Sequence, residues 1–257
     1  DCIHSAVDNL AKKTGIKVRE IHLGVGGEIV ESRFSHGVIP LIDRGNKEIS
    51  SRDIKKVQAQ AKTLGVNMEE TILHMCPQFY KVDDVNTALN PLGLFGRKLE
   101  IQTLLIVAQN TFLKNLTKAV NQAGYEVANM IFTSFAAAQT SLNDQQRRQG
   151  CLVMDIGSDL TELLIFRDGQ LKFFTVISVG GDQISRGIAQ ELNITFDLAE
   201  DIKRSYGFVL EMEDRVDEEI LVKREEGYLP VQKGRISRAI EPVIVQWLEM
   251  VAEKLKS

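Results

Sequence analysis

Cysteine is scarce in this chain of 257 residues: Cys2, Cys76 and Cys151 are far apart and form no C-x-x-C pair. That scarcity excludes a disulfide framework and a zinc ribbon, and it favours a reducing cytoplasm. No apolar run approaches the roughly 20 residues that span a bilayer, so no membrane-spanning segment is expected. The chain begins at Asp1 instead of a methionine, without a signal peptide, which suggests a fragment with motifs missing at both ends.

An excess of positive charge is also missing. Lysine and arginine number 31 against 35 aspartates and glutamates, giving a net charge of −4, so a nucleic-acid partner is not expected. The four histidines stand singly and suit neither a zinc site nor a catalytic triad. What is present, 44% hydrophobic and 26% charged residues, is typical of a folded protein with a sizeable core and, at this length, more than one unit.

Glycines cluster in one early segment, from Gly24 to Gly27, between two predicted strands at 18–25 and 29–34. The third glycine of the dinucleotide-binding pattern G-x-G-x-x-G is missing, because its position holds Ile29. A tight turn between strands is therefore predicted in place of a dinucleotide site.

Hydrophobic periodicity and turn residues divide the rest of the chain into helices and strands. Helices are predicted at 3–13, 51–64, 111–122, 133–142, 181–192 and 197–206 and from 237 onward; further strands are predicted at 37–42, 72–82, 99–107, 151–154, 161–166, 171–179 and 219–222. The middle of the chain thus forms a small strand-helix-strand-strand module. The polar run at 143–150 predicts a domain boundary.

The most informative segment runs from Leu152 to Glu162. A buried strand ends at Asp155 and a turn begins at Gly157, which places a carboxylate beside outward-pointing backbone N–H groups. Such a turn can hold phosphate oxygens while Asp155 holds a hydrated magnesium ion. A hairpin whose aspartate bonds only its own turn is the open alternative.

Two further segments could complete a nucleotide site. Gly180 and Gly181 open a predicted helix, whose free N–H groups and dipole favour phosphate. Glu200 and Lys203 share a face of the next helix and could reach ribose hydroxyls and an adenine edge. The alternatives are a plain strand-to-helix connection, a capping box between Asp197 and Glu200, and a solvated charge at Lys203.

In order and spacing these motifs resemble the actin-like ATPase superfamily and, within it, the FtsA family of bacterial cell-division proteins. The resemblance implies an α/β, actin-like (ribonuclease H-like) fold with the inserted strand-helix-strand-strand subdomain of that family. The matching segments are 23–27, 35–37, 72–74, 77–78, 91–93, 99–100, 123–124, 155–157, 180–182, 199–203 and 206–207.

The same resemblance implies a division of the chain. Residues 1–34 and 109–148 would belong to the first actin-like subdomain, and 35–108 to the inserted subdomain. Residues 149–196 would form the phosphate-hairpin subdomain and 197–257 an outer helical subdomain. The first phosphate hairpin would precede Asp1, and the adenosine glycines and a membrane-targeting amphipathic helix would follow Ser257, so the chain alone is not expected to form a complete site.

By resemblance, ATP with magnesium would occupy the site. The cofactor-binding residues would be Asp155, Gly157, Ser158, Thr161, Gly180, Gly181, Glu200 and Lys203. Asp155 would also bind the magnesium ion. The chain departs from the family where Asp159 and Leu160 replace a glycine and a threonine, and Asp159 would repel the terminal phosphates. Weak or absent ATPase activity is therefore expected.

The implied role is an adaptor that binds ATP, assembles with itself and links the C-terminal tail of the tubulin-like FtsZ to the inner membrane, on its cytoplasmic side at the division site. Two alternatives stay open. One is a scaffold of type IV pilus assembly similar to PilM, and the other is a true ATPase in which Asp155 organises the attacking water.

Overall fold

The computed structural model describes residues 2–41, 47–208, 218–224 and 227–256. The helices are α1 (Cys2–Thr14), α2 (Ser51–Leu64), α3 (Asn110–Gln122), α4 (Thr133–Ser141), α5 (Asp144–Gln149), α6 (Gly181–Leu192), α7 (Phe196–Tyr206) and α8 (Lys233–Lys256). The strands are β1 (Glu20–Val25), β2 (Val30–Pro40), β3 (Lys47–Glu48), β4 (Glu70–Val82), β5 (Asn86–Ala88), β6 (Phe95–Gly96), β7 (Lys98–Gln109), β8 (Glu126–Phe132), β9 (Cys151–Ile156), β10 (Thr161–Arg167), β11 (Gln170–Ile177), β12 (Glu219–Arg224) and β13 (Gly227–Gln232). Among the helices in these ranges, none is both long and apolar enough to cross a membrane.

The chain divides into two compact units. The first comprises Asp1–Val153 and Leu163–Thr175, and the second comprises Met154–Glu162 and Val176–Ser257. Strands β9, β10 and β11 form a sheet of order β11-β10-β9. The short links between them make neighbouring strands antiparallel, because parallel strands need a long crossover.

A four-stranded antiparallel sheet of order β2-β7-β4-β5 dominates the first unit. Its central strand β7 is buried without interruption from Leu104 to Ala108. Strand β1 pairs in parallel with β8 in a separate sheet. Helix α2 packs on β2 and β7 and completes the inserted module, a name used here for the elements from β2 to β7.

Helix α2 begins at a capping box. The Ser50 hydroxyl accepts from the backbone N–H of Asp53, and the Asp53 carboxylate accepts from the backbone N–H of Ser50. Lys47 donates to the same carboxylate at 2.9 Å. The Ser50 hydroxyl and the Lys47 ammonium lower the pKa of Asp53 to about 2, so this buried side chain is a carboxylate at neutral pH.

Small residues on β2 allow α2 to lie close to the sheet. A methyl group at Gly37 would come within 2.5 Å of the Val57 carbonyl oxygen and 2.9 Å of the Ala61 nitrogen. Two residues earlier, the buried Ser35 hydroxyl donates to the Ala61 carbonyl at 2.7 Å. The backbone of the helix therefore contacts the strand directly.

The second unit is built around helices. Helices α6 and α7 and the β12-β13 hairpin enclose, together with the first half of α8, one hydrophobic cluster. Its most buried members are Ile188, Ala199, Ile202, Val231 and Ile236. The cluster fixes α6 and α7 to each other, and both helices carry residues of the predicted site.

Most predicted elements are confirmed, including the helix at 51–64, the three strands from Cys151 and the helix after Gly180. Four are corrected. The predicted strands at 29–34 and 37–42 are one strand, β2, so the boundary predicted after Phe34 falls inside a strand. The polar run at 143–150 contains α5, which begins at an Asn143 capping box. Helix α7 starts at Phe196, with Thr195 as its N-cap, and α8 starts at Lys233.

The sequence pattern does not predict the short strands β3, β5 and β6, nor the longer strands β8 and β13. Much of the charged tail, at 209–217 and 225–226, lies outside the described residues. The residue boundaries of the four implied subdomains stay predictions.

Replacing Gly37 by alanine should separate α2 from β2, since the new methyl would overlap backbone atoms that cannot move independently. We expect Gly37→Ala to lower the free energy of unfolding by about 1–3 kcal/mol, measured by urea unfolding followed by circular dichroism. His36→Ala, on the exposed face of the same strand, is the control and should change it by no more than about 0.5 kcal/mol. Equal losses in the two variants would contradict the close approach.

Candidate functional site: a turn and a helix start in the second unit

The predicted phosphate turn is a tight connection between β9 and β10. The backbone N–H of Gly157 donates to the carbonyl of Leu160 at 2.8 Å, which closes the turn. Ser158 and Asp159 form its exposed tip, and Asp155 lies half-buried in β9 just before it. Among the described residues, no backbone carbonyl accepts from the N–H groups of Ser158 and Asp159.

The start of α6 docks on this turn through its backbone. The N–H of Gly181 donates to the Gly157 carbonyl at 2.9 Å, and the N–H of Asp182 donates to the Ser158 carbonyl at 2.8 Å. These are the donors that the sequence argument left free for phosphate, and that expectation is corrected. In this structure the N–H groups of Gly181 and Asp182 are therefore already bonded to carbonyls of the turn.

Gly180 makes the docking possible. A methyl group at this position would lie 2.5 Å from the carbonyl oxygens of both Gly157 and Ser158, which is too close for any side chain. The backbone N–H of Gly180 is bound by the Gln183 side chain at 2.9 Å. Gly181 differs, because the atom nearest to an added methyl would be the flexible end of Lys203, at 3.2 Å.

Thr161 fixes the other side of the turn. It is fully buried at the start of β10, and its hydroxyl donates to the Val179 carbonyl at 2.6 Å. This bond joins the strand that leaves the turn to the segment that enters α6. The Thr161 hydroxyl thus serves to position the turn.

Glu200 and Lys203 form an ion pair within α7, and both side chains also bind groups in the first turns of α6. Their charged groups are 2.6 Å apart, and the Lys203 ammonium also donates to the Gly181 carbonyl at 3.0 Å. The Ser185 hydroxyl of α6 and the Arg204 guanidinium donate to the same carboxylate. Lys203, and then Ser185, lower the pKa of Glu200 to about 2, so Glu200 is ionised at neutral pH.

This ion pair decides between the alternatives for both residues. Glu200 is not a capping-box partner of Asp197, because α7 begins earlier and the carboxylate binds side chains from both helices. Lys203 is not a solvated charge, since its side chain is only 20% exposed. Sequence reasoning missed Ser185, although its position four residues after Gly181 places it on the same face of α6.

A metal would need a ligand besides the protein here. Among the described residues, no group of three or more histidines, cysteines, aspartates or glutamates is arranged to hold an ion. Magnesium commonly binds one or two carboxylates, several waters and a substrate phosphate, so a single carboxylate such as Asp155 suits that coordination. At Asp155, waters and a phosphate would have to supply the remaining ligands of a magnesium ion.

Two family models match the chain. The model described as the SHS2 domain inserted in FtsA matches residues 27–107, and the model described as cell division protein FtsA matches residues 152–242. Together they cover more than half of the chain, in the order the resemblance requires. The chain belongs to the FtsA family.

Curated FtsA proteins align along much or all of the chain. The FtsA of Buchnera aphidicola is 28% identical over 259 residues, covering 100% of this chain and 61% of the relative. The FtsA of Streptococcus pneumoniae is 31% identical over 205 residues, covering 80% of this chain and 45% of the relative. The FtsA of Escherichia coli K12 is 27% identical over 256 residues, covering 99% of this chain and 60% of the relative. The chain therefore spans about half to three fifths of the length of these relatives.

A solved structure gives the fold. The PilM-PilN type IV pilus biogenesis complex matches with a TM-score of 0.62 over 99% of this chain and 63% of that one, at 16% identity. At such low identity the match concerns the fold alone. The chain is thus an actin-like α/β protein of the FtsA cell-division family, with the SHS2 domain inserted in its first half.

Exchanging each glycine of the pair for alanine tests the docking of α6 on the turn. Gly180→Ala should lower the free energy of unfolding by about 1–3 kcal/mol, because its methyl would push two backbone carbonyls away. Gly181→Ala is the matched control and should be neutral or slightly stabilising, since only the end of Lys203 must shift and alanine favours a helix. Thermal unfolding measures the stability of both variants. Equal losses of stability in the two would contradict the close backbone contact at Gly180.

Proposed function

We propose that this FtsA-family chain binds ATP with magnesium at the turn 157–160 and the start of α6, and that it works as a division protein. In this role it assembles with itself and links the C-terminal tail of FtsZ to the inner membrane, on its cytoplasmic side at the division site. The observation that carries the nucleotide proposal is the convergence of the turn, the Gly180–Gly181 helix start and the Glu200–Lys203 pair within one unit.

The phosphates would be held at the tip of the turn. The N–H groups of Ser158 and Asp159 lie in a turn whose Gly157 and Ser158 carbonyls are bound by α6, and no described backbone carbonyl accepts from them. Lys203 holds a positive charge at the Gly181 carbonyl, at the start of the helix that docks on the turn. A backbone turn that presents N–H groups next to an ammonium is a common arrangement for binding phosphate.

The nucleoside would be held by Glu200. Its oxygen Oε2 accepts from Lys203 and Ser185, whereas Oε1 accepts only from Arg204 among the bonds described. A carboxylate oxygen has two acceptor sites, so Oε1 can take a ribose hydroxyl without losing a partner. Bound nucleotide would thus join the turn to α7 through contacts on both.

Magnesium would supply positive charge between the phosphates and Asp155. Asp155 lies in the strand that leads into the turn, so it can orient waters of the ion without direct contact with the phosphates. Asp159 places a negative charge at the tip of the turn, where positive charge would stabilise a transferring phosphoryl group. We infer that nucleotide acts by binding, which favours one shape of the protein, and not by fast hydrolysis.

Removing the Asp159 charge should strengthen ATP binding. At an effective dielectric of about 20, two charges some 5 Å apart repel by roughly 3 kcal/mol before screening, and magnesium absorbs part of this. We therefore expect about a tenfold gain in affinity for Asp159→Gly, measured by calorimetry with the gene's full-length product in excess magnesium. Asp159→Asn removes the charge without adding the backbone flexibility of a glycine, and it should give most of the gain in affinity. Asp155→Ala should weaken ATP binding. Unchanged affinity in all three variants would mean that the turn is purely structural.

Partner choice separates the division role from a pilus role, because the fold is shared by both. A fluorescent peptide of the FtsZ C-terminal tail should bind the full-length product, and a scrambled peptide of the same composition should not. Binding is measured by anisotropy over a range of salt concentrations. Absence of binding, together with capture of a short peptide from a membrane protein of pilus assembly, would move the assignment to a PilM-like scaffold.

A further inference from the structure

His74 lies at an irregular point of β4. Opposite β7, Ile72 pairs with Val107 and His74 pairs with Ile106, so Leu73 has no partner and forms a bulge. Bulges redirect the side chains that follow them. Here the redirected side chain is the imidazole of His74, which points from the inserted module to the junction of β8 and α4.

The imidazole binds the first residue of that junction. Its Nε2 accepts a hydrogen bond from the backbone N–H of Phe132 at 3.0 Å. The centroid of its ring lies 4.8 Å from the ring centroid of Phe135, in the first turn of α4. Phe132 is the N-cap of α4, and no side-chain capping bond of its own is present there. His74 therefore supplies from another element the acceptor that this helix start lacks.

The bond requires a neutral ring. An imidazole that accepts at Nε2 carries its proton on Nδ1, and a second proton on Nε2 would face the Phe132 N–H directly. Burial lowers the pKa of His74 below its ordinary value of 6.5. Opening of the contact and protonation are therefore coupled, because the exposed ring takes up a proton more readily than the bound one.

No described group nearby compensates a charge on the ring. On β4 the nearest titratable group is Cys76, a thiol whose pKa burial raises to about 11 and which is therefore neutral. Helix α4 contains no titratable residue, and β8 has only Glu126 at its opposite end. On β7, Lys98 and Glu100 pair with each other at the far end of the strand.

We propose that His74 is a pH-sensitive clasp that fastens the inserted module to the start of α4. The clasp is closed when the imidazole is neutral and opens when it is protonated. The inserted module is then free to shift against β8 without unfolding of its own sheet, which is held by the long β2-β7-β4 ladders. This proposal does not depend on nucleotide binding.

Nuclear magnetic resonance of this chain tests the clasp. At pH 7 the nitrogen shifts of His74 should report the Nδ1–H tautomer, and the Phe132 amide should be protected from hydrogen exchange. Between pH 7 and pH 5 the protection factor of Phe132 should fall about tenfold more than that of Leu105, a core amide of β7. His36→Gln, which alters an exposed ring, should leave this difference unchanged.

Two variants separate a clasp from simple packing. His74→Gln keeps an acceptor but cannot titrate, so Phe132 should stay protected and lose its pH dependence. His74→Phe keeps a ring without an acceptor, and Phe132 should exchange faster at both pH values. If His74→Phe does not fold, the tautomer of His74 and the pH dependence in His74→Gln still distinguish a clasp from simple packing. An Nε2–H tautomer, or the same pH dependence in wild type and His74→Gln, would overturn the proposal.

Discussion

The second unit depends on one close backbone contact, which the lack of a side chain at Gly180 permits. Because nothing stands between them, the carbonyls of Gly157 and Ser158 receive the first N–H groups of α6. The same contact explains where the surrounding side chains bind. Thr161 anchors the strand that leaves the turn, and Lys203 binds the Gly181 carbonyl at the point where the helix begins.

This arrangement changes the account of how the turn could bind phosphate. A helix N-terminus is an anion site only while its N–H groups are unpaired, and here the turn has taken them. What the helix offers instead is rigidity, since its dipole and its donors hold the two carbonyls inward. We propose that the N–H groups of Ser158 and Asp159 bind the phosphates instead, with positive charge supplied by the Lys203 ammonium, which donates to the Gly181 carbonyl.

Local sequence signals predicted what depends on local chemistry. The helix predicted at 51–64 begins at the Ser50–Asp53 capping box, and the strands predicted at 161–166 and 171–179 are joined by the two-residue turn Asp168–Gly169, so residues close in the chain set all three elements. The Asn143–Gln146 box was equally visible, but a short polar helix has no apolar period, so α5 was overlooked. Strand β2 was divided in two because Ser35 and His36 interrupt its apolar pattern, although Ser35 is buried against α2.

The remaining differences come from partners that are distant in sequence. Strand β8 has a weak pattern of its own and is fixed by parallel pairing with β1, some hundred positions earlier. Glu200 fits a capping box by spacing, yet its carboxylate accepts a hydrogen bond from Ser185 on another helix. The bulge that aims His74 at Phe132 is likewise a property of the β4-β7 ladder and has no local signature.

The central claim is that the tip of the turn binds the phosphates of a nucleotide. Titration of the isotopically labelled full-length protein with magnesium ATP, followed by amide chemical shifts, tests it directly. The account predicts that the Ser158 and Asp159 amides shift downfield and saturate together with the Lys203 side-chain signal, while Gly181 and Asp182, already bound to carbonyls, move little. Large shifts at Gly181 and Asp182 with none at Ser158 and Asp159 would contradict it.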